Sequence, residues 1–90
     1  MTSYKVKYSK DSLKFMKDNK KAGLKFFQAF LEISENTENV SLYDVKNLKG
    51  YESLKRLRIG KYRAIFEIIN NEIMILVLDI DSRGDIYKNL

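Results

Sequence analysis

Three apolar-rich segments, residues 54–59, 62–69 and 73–80, follow one another with breaks too short to hold a helix. This spacing constrains the chain more than any other feature. Gly60-Lys61 puts glycine first in a two-residue turn, where a II′ hairpin needs positive φ. Asn70-Asn71 suits a second such turn, because Asn tolerates positive φ. The expectation is a three-stranded antiparallel meander.

Upstream, residues 4–8 read Tyr-Lys-Val-Lys-Tyr, a strict alternation that predicts a strand with one wet face. Ser9 suits a helix N-cap, and a short amphipathic helix carrying Leu13, Phe15 and Met16 should end near Asn19. A second helix is expected from Lys20 or Ala22 to Glu35, with Gly23 in its first turn. Its core stripe reads as Leu24, Phe27, Phe30, Leu31 and Ser34. Residues 36–53 are polar and irregular, and residues 81–90 form a polar tail. The order is β-α-α-β-β-β, an α+β fold with an antiparallel sheet packed on a helical hairpin. At 90 residues the chain reads as a single domain, 1–90, with one thin core.

Histidine and cysteine are both absent. No imidazole can act as a base or zinc ligand, and no thiolate can bind metal or form a disulfide. No apolar run approaches the roughly 18 residues of a membrane span. Lysines interrupt the N-terminus where a signal peptide would be apolar. A cytoplasmic protein is the expectation.

The net charge of +5 is unevenly distributed. Residues 4–25 carry eight Lys against Asp11 and Asp18, and this block fits a solvated face as well as a polyanion-binding one. Residues 53–66 carry Lys55, Arg56, Arg58, Lys61 and Arg63 with no acid. A two-residue turn at 60–61 pairs Ile59 with Tyr62, Arg58 with Arg63, Leu57 with Ala64 and Arg56 with Ile65. With side chains alternating, Leu57, Ile59, Tyr62, Ala64, Phe66 and Ile68 share a core face. Arg56, Arg58, Arg63, Ile65 and Glu67 share the other. Arg58 opposite Arg63 is a mildly destabilising like-charge pair. Converging guanidinium forks are also what a phosphate site requires. Met74, Leu76 and Leu78 continue this outward face and need cover from the tail or from a partner.

These segments resemble a known signature. Leu48-Lys49-Gly50, followed by Leu57-Arg58-Ile59-Gly60-Lys61-Tyr62-Arg63-Ala64-Ile65-Phe66-Glu67-Ile68 and the ending Ser82-Arg83-Gly84-Asp85-Ile86-Tyr87, is similar to the pattern of RelE/ParE toxins. The resemblance implies a RelE-like fold and a type II toxin without metal or cofactor. RelE-like members act on the ribosome as mRNA endonucleases, in which the 2′-hydroxyl attacks the adjacent phosphate. ParE-like members inhibit DNA gyrase, and a non-catalytic antitoxin-binding member is a further alternative. The implied catalytic set is Arg56, Arg63, Arg83 and Tyr87, with Arg58, Lys55 and Lys49 as substrate contacts. Implied partners are the ribosome, mRNA and an acidic antitoxin in a toxin–antitoxin hetero-oligomer, with Met74, Leu76 and Leu78 as the antitoxin surface. This chain departs from the family pattern at Leu54, Ser82 and Gly84, and has Lys46 where some relatives carry a glutamate base.

Overall fold

The structure, a computed structural model, describes residues 3–82. Strand β1 (Lys5–Tyr8) leads into α1 (Lys10–Asp18) and α2 (Lys20–Glu35). A 3₁₀ turn over Thr37–Leu42 precedes β2 (Asp44–Asn47). β3 (Leu54–Ile59), β4 (Tyr62–Ile69) and β5 (Met74–Asp81) complete the order, with a 3₁₀ turn over Asn70–Glu72 before β5.

Local chemistry sets the helix ends. The Ser9 hydroxyl accepts from the Ser12 amide, so Ser9 caps α1 as its side chain predicts. The same hydroxyl donates to the Leu78 carbonyl at 2.7 Å, which ties the helix start to β5. Gly23 lies in the first turn of α2, and its value is close approach. A Cβ there would stand 2.8 Å from both the Cα and the carbonyl oxygen of Met16. The two helices therefore touch backbone to side-chain-free backbone at this point.

The α+β class and the helical hairpin on a sheet hold. Among the described residues the sheet has five strands, in the order β1-β5-β4-β3-β2. It is mixed rather than wholly antiparallel, because β1 runs parallel to β5. The α1–α2 hairpin carries the chain from β1 to β2 at the opposite edge, and the β2–β5 meander then returns to set β5 beside β1. β2 was hidden in the polar segment: it is four residues long, and Val45 is its only apolar side chain. Its pairing with β3 closes through the Leu48-Lys49-Gly50 turn, where Gly50 takes φ +87° and the Leu48 amide donates to the Leu54 carbonyl.

One face of the sheet meets α2 through Phe26, Ala29, Phe30, Ile33, Leu57, Ala64, Phe66, Ile75, Val77 and Ile80, all buried. Phe30 packs edge-on against Phe66, with ring centroids 5.1 Å apart. The expected stripe of α2 is corrected here. Leu24, Phe27 and Leu31 are about half exposed, and so is Leu13 on α1. Helical periodicity fits both interleaved stripes, and only the sheet selects the one carrying Phe26 and Ile33. Among the described residues, no helix is long and apolar enough to cross a membrane.

Candidate functional site

The β3–β4 register is the expected one: Ile59 opposite Tyr62, Arg58 opposite Arg63, Leu57 opposite Ala64 and Arg56 opposite Ile65. Gly60 takes φ +60° while Lys61 stays at negative φ, as a II′ turn requires. Arg56, Arg58 and Arg63 consequently share the face turned away from the helices.

The second hairpin departs from expectation. The 3₁₀ turn is followed by Ile73 in the left-handed region (φ 51°, ψ 51°), so Ile69 pairs with Met74. The loop is two residues longer than a two-residue turn, a slip that preserves faces because side chains alternate with period two. Met74 and Leu76 therefore do lie on the outer face, half-buried and beside Lys5 and Lys7 of β1. Leu78 does not continue their row. Phe66 pairs with Val77 and Ile65 with Asp79, so Leu78 is the extra residue of a β-bulge.

This bulge has a chemical consequence that alternation alone does not reveal. It turns Ile80 into the core and brings Asp79 and Asp81 onto the arginine face. Across β2, β3, β4 and β5 one row of that face reads Asp44, Arg58, Arg63, Asp81. The next reads Lys46, Arg56, Ile65, Asp79. Carboxylates at both ends of the first row offset the Arg58–Arg63 repulsion. Residues 73–78 are apolar without a break and give no phase; alternation begins only at Leu78-Asp79-Ile80-Asp81, so the sequence alone does not show which face these acids take. Asp44 gave no signal either, because its strand is too short to read.

The three arginines differ in their engagements. Arg56 Nη2 donates to Asp44 Oδ1 at 2.8 Å, and the Arg56 side chain is only 12% exposed. Its Nε is buried without a hydrogen-bond acceptor among the described residues. Arg58 is exposed and its Nε donates to the Gly60 carbonyl at 3.3 Å. Arg63 is half-buried, and its guanidinium forms no hydrogen bond or ion pair with another described residue. Ile65 between them is fully buried although it lies outside the helix-side core. Of these groups, Arg63 is the cation with its full donor set still available to an anion.

Lys49 and Lys55 do not join them. Lys49 sits in the turn at the far end of β3 from Arg58 and Arg63. Lys55 has the parity of Leu57, and its Nζ donates to Asn47 Oδ1 at 2.7 Å. Arg83 and Tyr87 lie outside the described residues.

Comparison with known proteins places this geometry. Residues 6–87 match a family model described as the ParE toxin of the type II toxin–antitoxin system, parDE. A curated protein of Methanocaldococcus jannaschii named "Putative toxin RelE1" is 32% identical over 87 residues, covering 96% of this chain and 97% of that one. The archaeal RelE–RelB complex from Pyrococcus horikoshii superposes with a TM-score of 0.73 at 28% identity, covering 92% of this chain and 98% of the other. A RelB–RelE antitoxin–toxin complex from Methanococcus jannaschii shares the fold at TM-score 0.63 and 24% identity, over 92% and 96% of the two chains.

Proposed function

Since the chain belongs to the RelE/ParE family of type II toxin–antitoxin toxins, we propose that it is a ribosome-dependent mRNA endonuclease. The observation that carries this reading is Arg63: half-buried on the outer face, beside Arg58, and without an ion pair to another described residue.

The reaction needs no metal. The RNA 2′-hydroxyl forms a bond to the adjacent phosphorus as the bond to the 5′-oxygen breaks, and its proton ends on that leaving oxygen. Negative charge builds on the non-bridging oxygens. A guanidinium already aimed at them stabilises that charge without reorganising. Arg63 takes this role, while Arg58 and Arg56 hold the phosphates alongside. Arg56 is oriented for this by Asp44, whose carboxylate fixes one end of its fork. The 2′-hydroxyl proton reaches the leaving oxygen through an acceptor, and Asp81, directly across from Arg63 in the register, is the carboxylate assigned to take it and pass it on. Arg83 and Tyr87 complete the proposed set from the C-terminal segment. The chain works in the cytoplasm, on mRNA in the ribosome. An acidic antitoxin covers Met74, Leu76 and the neighbouring Leu78, with its carboxylates drawn to Lys5, Lys7 and the arginines, in a hetero-oligomer.

In vitro translation with the purified protein, followed by primer extension, tests the reading. Breaks at A-site codons that vanish with Arg63→Ala support it, and intact mRNA with the wild type sinks it. The ParE description of the matching family model favours one alternative, a DNA gyrase inhibitor. Inhibited supercoiling with undamaged mRNA would select that reading.

A further inference from the structure

Two cavities open around the tip of the β3–β4 hairpin, and they differ in charge. The first, of about 350 Å³, lies between the start of α2 and the turn, lined by Lys20, Lys21, Lys25, Lys61, Gly60 and Tyr62 among others, with no carboxylate among its described residues. The second, of about 390 Å³, shares Lys25 and includes Arg58, but Glu32 and Asp44 also line it. Of the two, the first is the one whose described lining carries positive charge without a carboxylate. All four of its lysines are exposed. The Lys61 ammonium stands 5.5 Å from the centroid of the Tyr62 ring, and that ring is braced edge-on by Phe15 at 5.1 Å. One wall is therefore fixed, while the cations ride on flexible stems.

We propose that this lysine-lined cleft binds the phosphodiester backbone of RNA, as a second contact surface reached around the β3–β4 turn from the arginine face. Tyr62 and Arg63 are consecutive and point to opposite faces, so cleft and arginine face meet at the hairpin tip. One polyanion can engage both. Ammonium groups act as point charges that accept a phosphate in many orientations, which suits a sequence-independent hold beside a specific site. A neutral or apolar partner would leave four lysines crowded without counter-charge. The lysine-rich first quarter of the chain, ambiguous as a sequence, thereby gains a role for Lys20, Lys21 and Lys25. The inference rests on the reading of this protein as one that acts on RNA.

The test compares Lys20→Gln/Lys21→Gln/Lys61→Gln with Lys10→Gln/Lys14→Gln/Lys17→Gln, which removes equal charge along α1, outside the lining of the cleft. Binding is measured by fluorescence anisotropy on a labelled single-stranded RNA 12-mer, and by co-sedimentation with ribosomes free of mRNA, across a salt series. Three lost phosphate contacts at about 0.7 each lower the slope of log K against log salt by roughly 2, which is about 50-fold in affinity at 0.15 M salt. That loss, confined to the cleft variant with its thermal melt unchanged, is the expected result. On the 12-mer it identifies messenger contact; on empty ribosomes it identifies ribosomal RNA. Equal losses in both variants, or none, overturn the proposal. So does intact RNA binding with weakened binding of an acidic antitoxin, which would assign the cleft to a protein partner. Lysine-dependent RNA binding by a wild type that cuts no mRNA would sink the endonuclease reading alone, whereas no RNA or ribosome binding by the wild type would sink both.

Discussion

Gly23→Ala sets two effects of opposite sign against each other. In an unobstructed helix the change stabilises by about 1 kcal/mol, because glycine loses more backbone freedom on folding. Here the new Cβ would meet the Met16 Cα and carbonyl oxygen at 2.8 Å and the Met16 Cβ at 3.0 Å. Carbon contacts are comfortable at roughly 3.5–4.0 Å, so α1 and α2 must separate by more than half an ångström. Overpacking of this kind costs about 1–3 kcal/mol, and the obstructing atoms are mainly backbone, which no rotamer change can move. The clash offsets that gain and exceeds it over most of its range, leaving a net loss of up to about 2 kcal/mol. For a domain of this size that is a fall in Tm of up to roughly 15 °C. Circular-dichroism melts of the wild type, Gly23→Ala, and Gly23→Ala with Met16→Ala would measure it. The second substitution should not restore stability, since it leaves the Met16 backbone in place. A Tm for Gly23→Ala above that of the wild type would refute the reasoning, and with it the close helix approach.

Four other outcomes are expected. Arg63→Ala should lower the cleavage rate about 10²–10³-fold in the translation assay while the thermal melt stays close to that of the wild type. Phe26→Ala should cost about 3–5 kcal/mol in urea unfolding and Phe27→Ala far less, because only the first side chain is fully buried. Gly60→Ala meets no atom within 4 Å, yet its φ of +60° should cost about 1–2 kcal/mol through backbone strain alone, read as a lower urea midpoint. Burial pushes the Tyr8 hydroxyl up from 10 to about 12. Its neutral form thus favours folding at pH below 10, and that contribution is lost as pH rises through 12. Tyr8→Phe should flatten the stability profile between those values, as followed by urea midpoints at successive pH.

The arginine face was legible because its cause is local. A two-residue turn with glycine first admits one register, and period-two alternation then places Arg56, Arg58 and Arg63 together. Ser9 as a cap and Gly23 in a first turn are local in the same sense. The choice between stripes on α2 is not local. Leu24, Phe27 and Leu31 repeat at helical spacing as well as Phe26, Phe30 and Ile33 do. Burial goes to the set that meets Leu57, Phe66 and Val77, residues at least 24 positions away in the chain. β2 exists because an edge of β3 was open to it, not because four mostly polar residues prefer extension. The parallel pairing of β1 with β5 joins segments nearly 70 residues apart. The bulge at Leu78 answers to the same sheet: the strand must keep both Val77 and Ile80 in the core, three residues apart, and only an extra residue reconciles that with alternation. Composition and turn chemistry thus determined the cations of the site, whereas its carboxylates, Asp44, Asp79 and Asp81, were placed by tertiary packing.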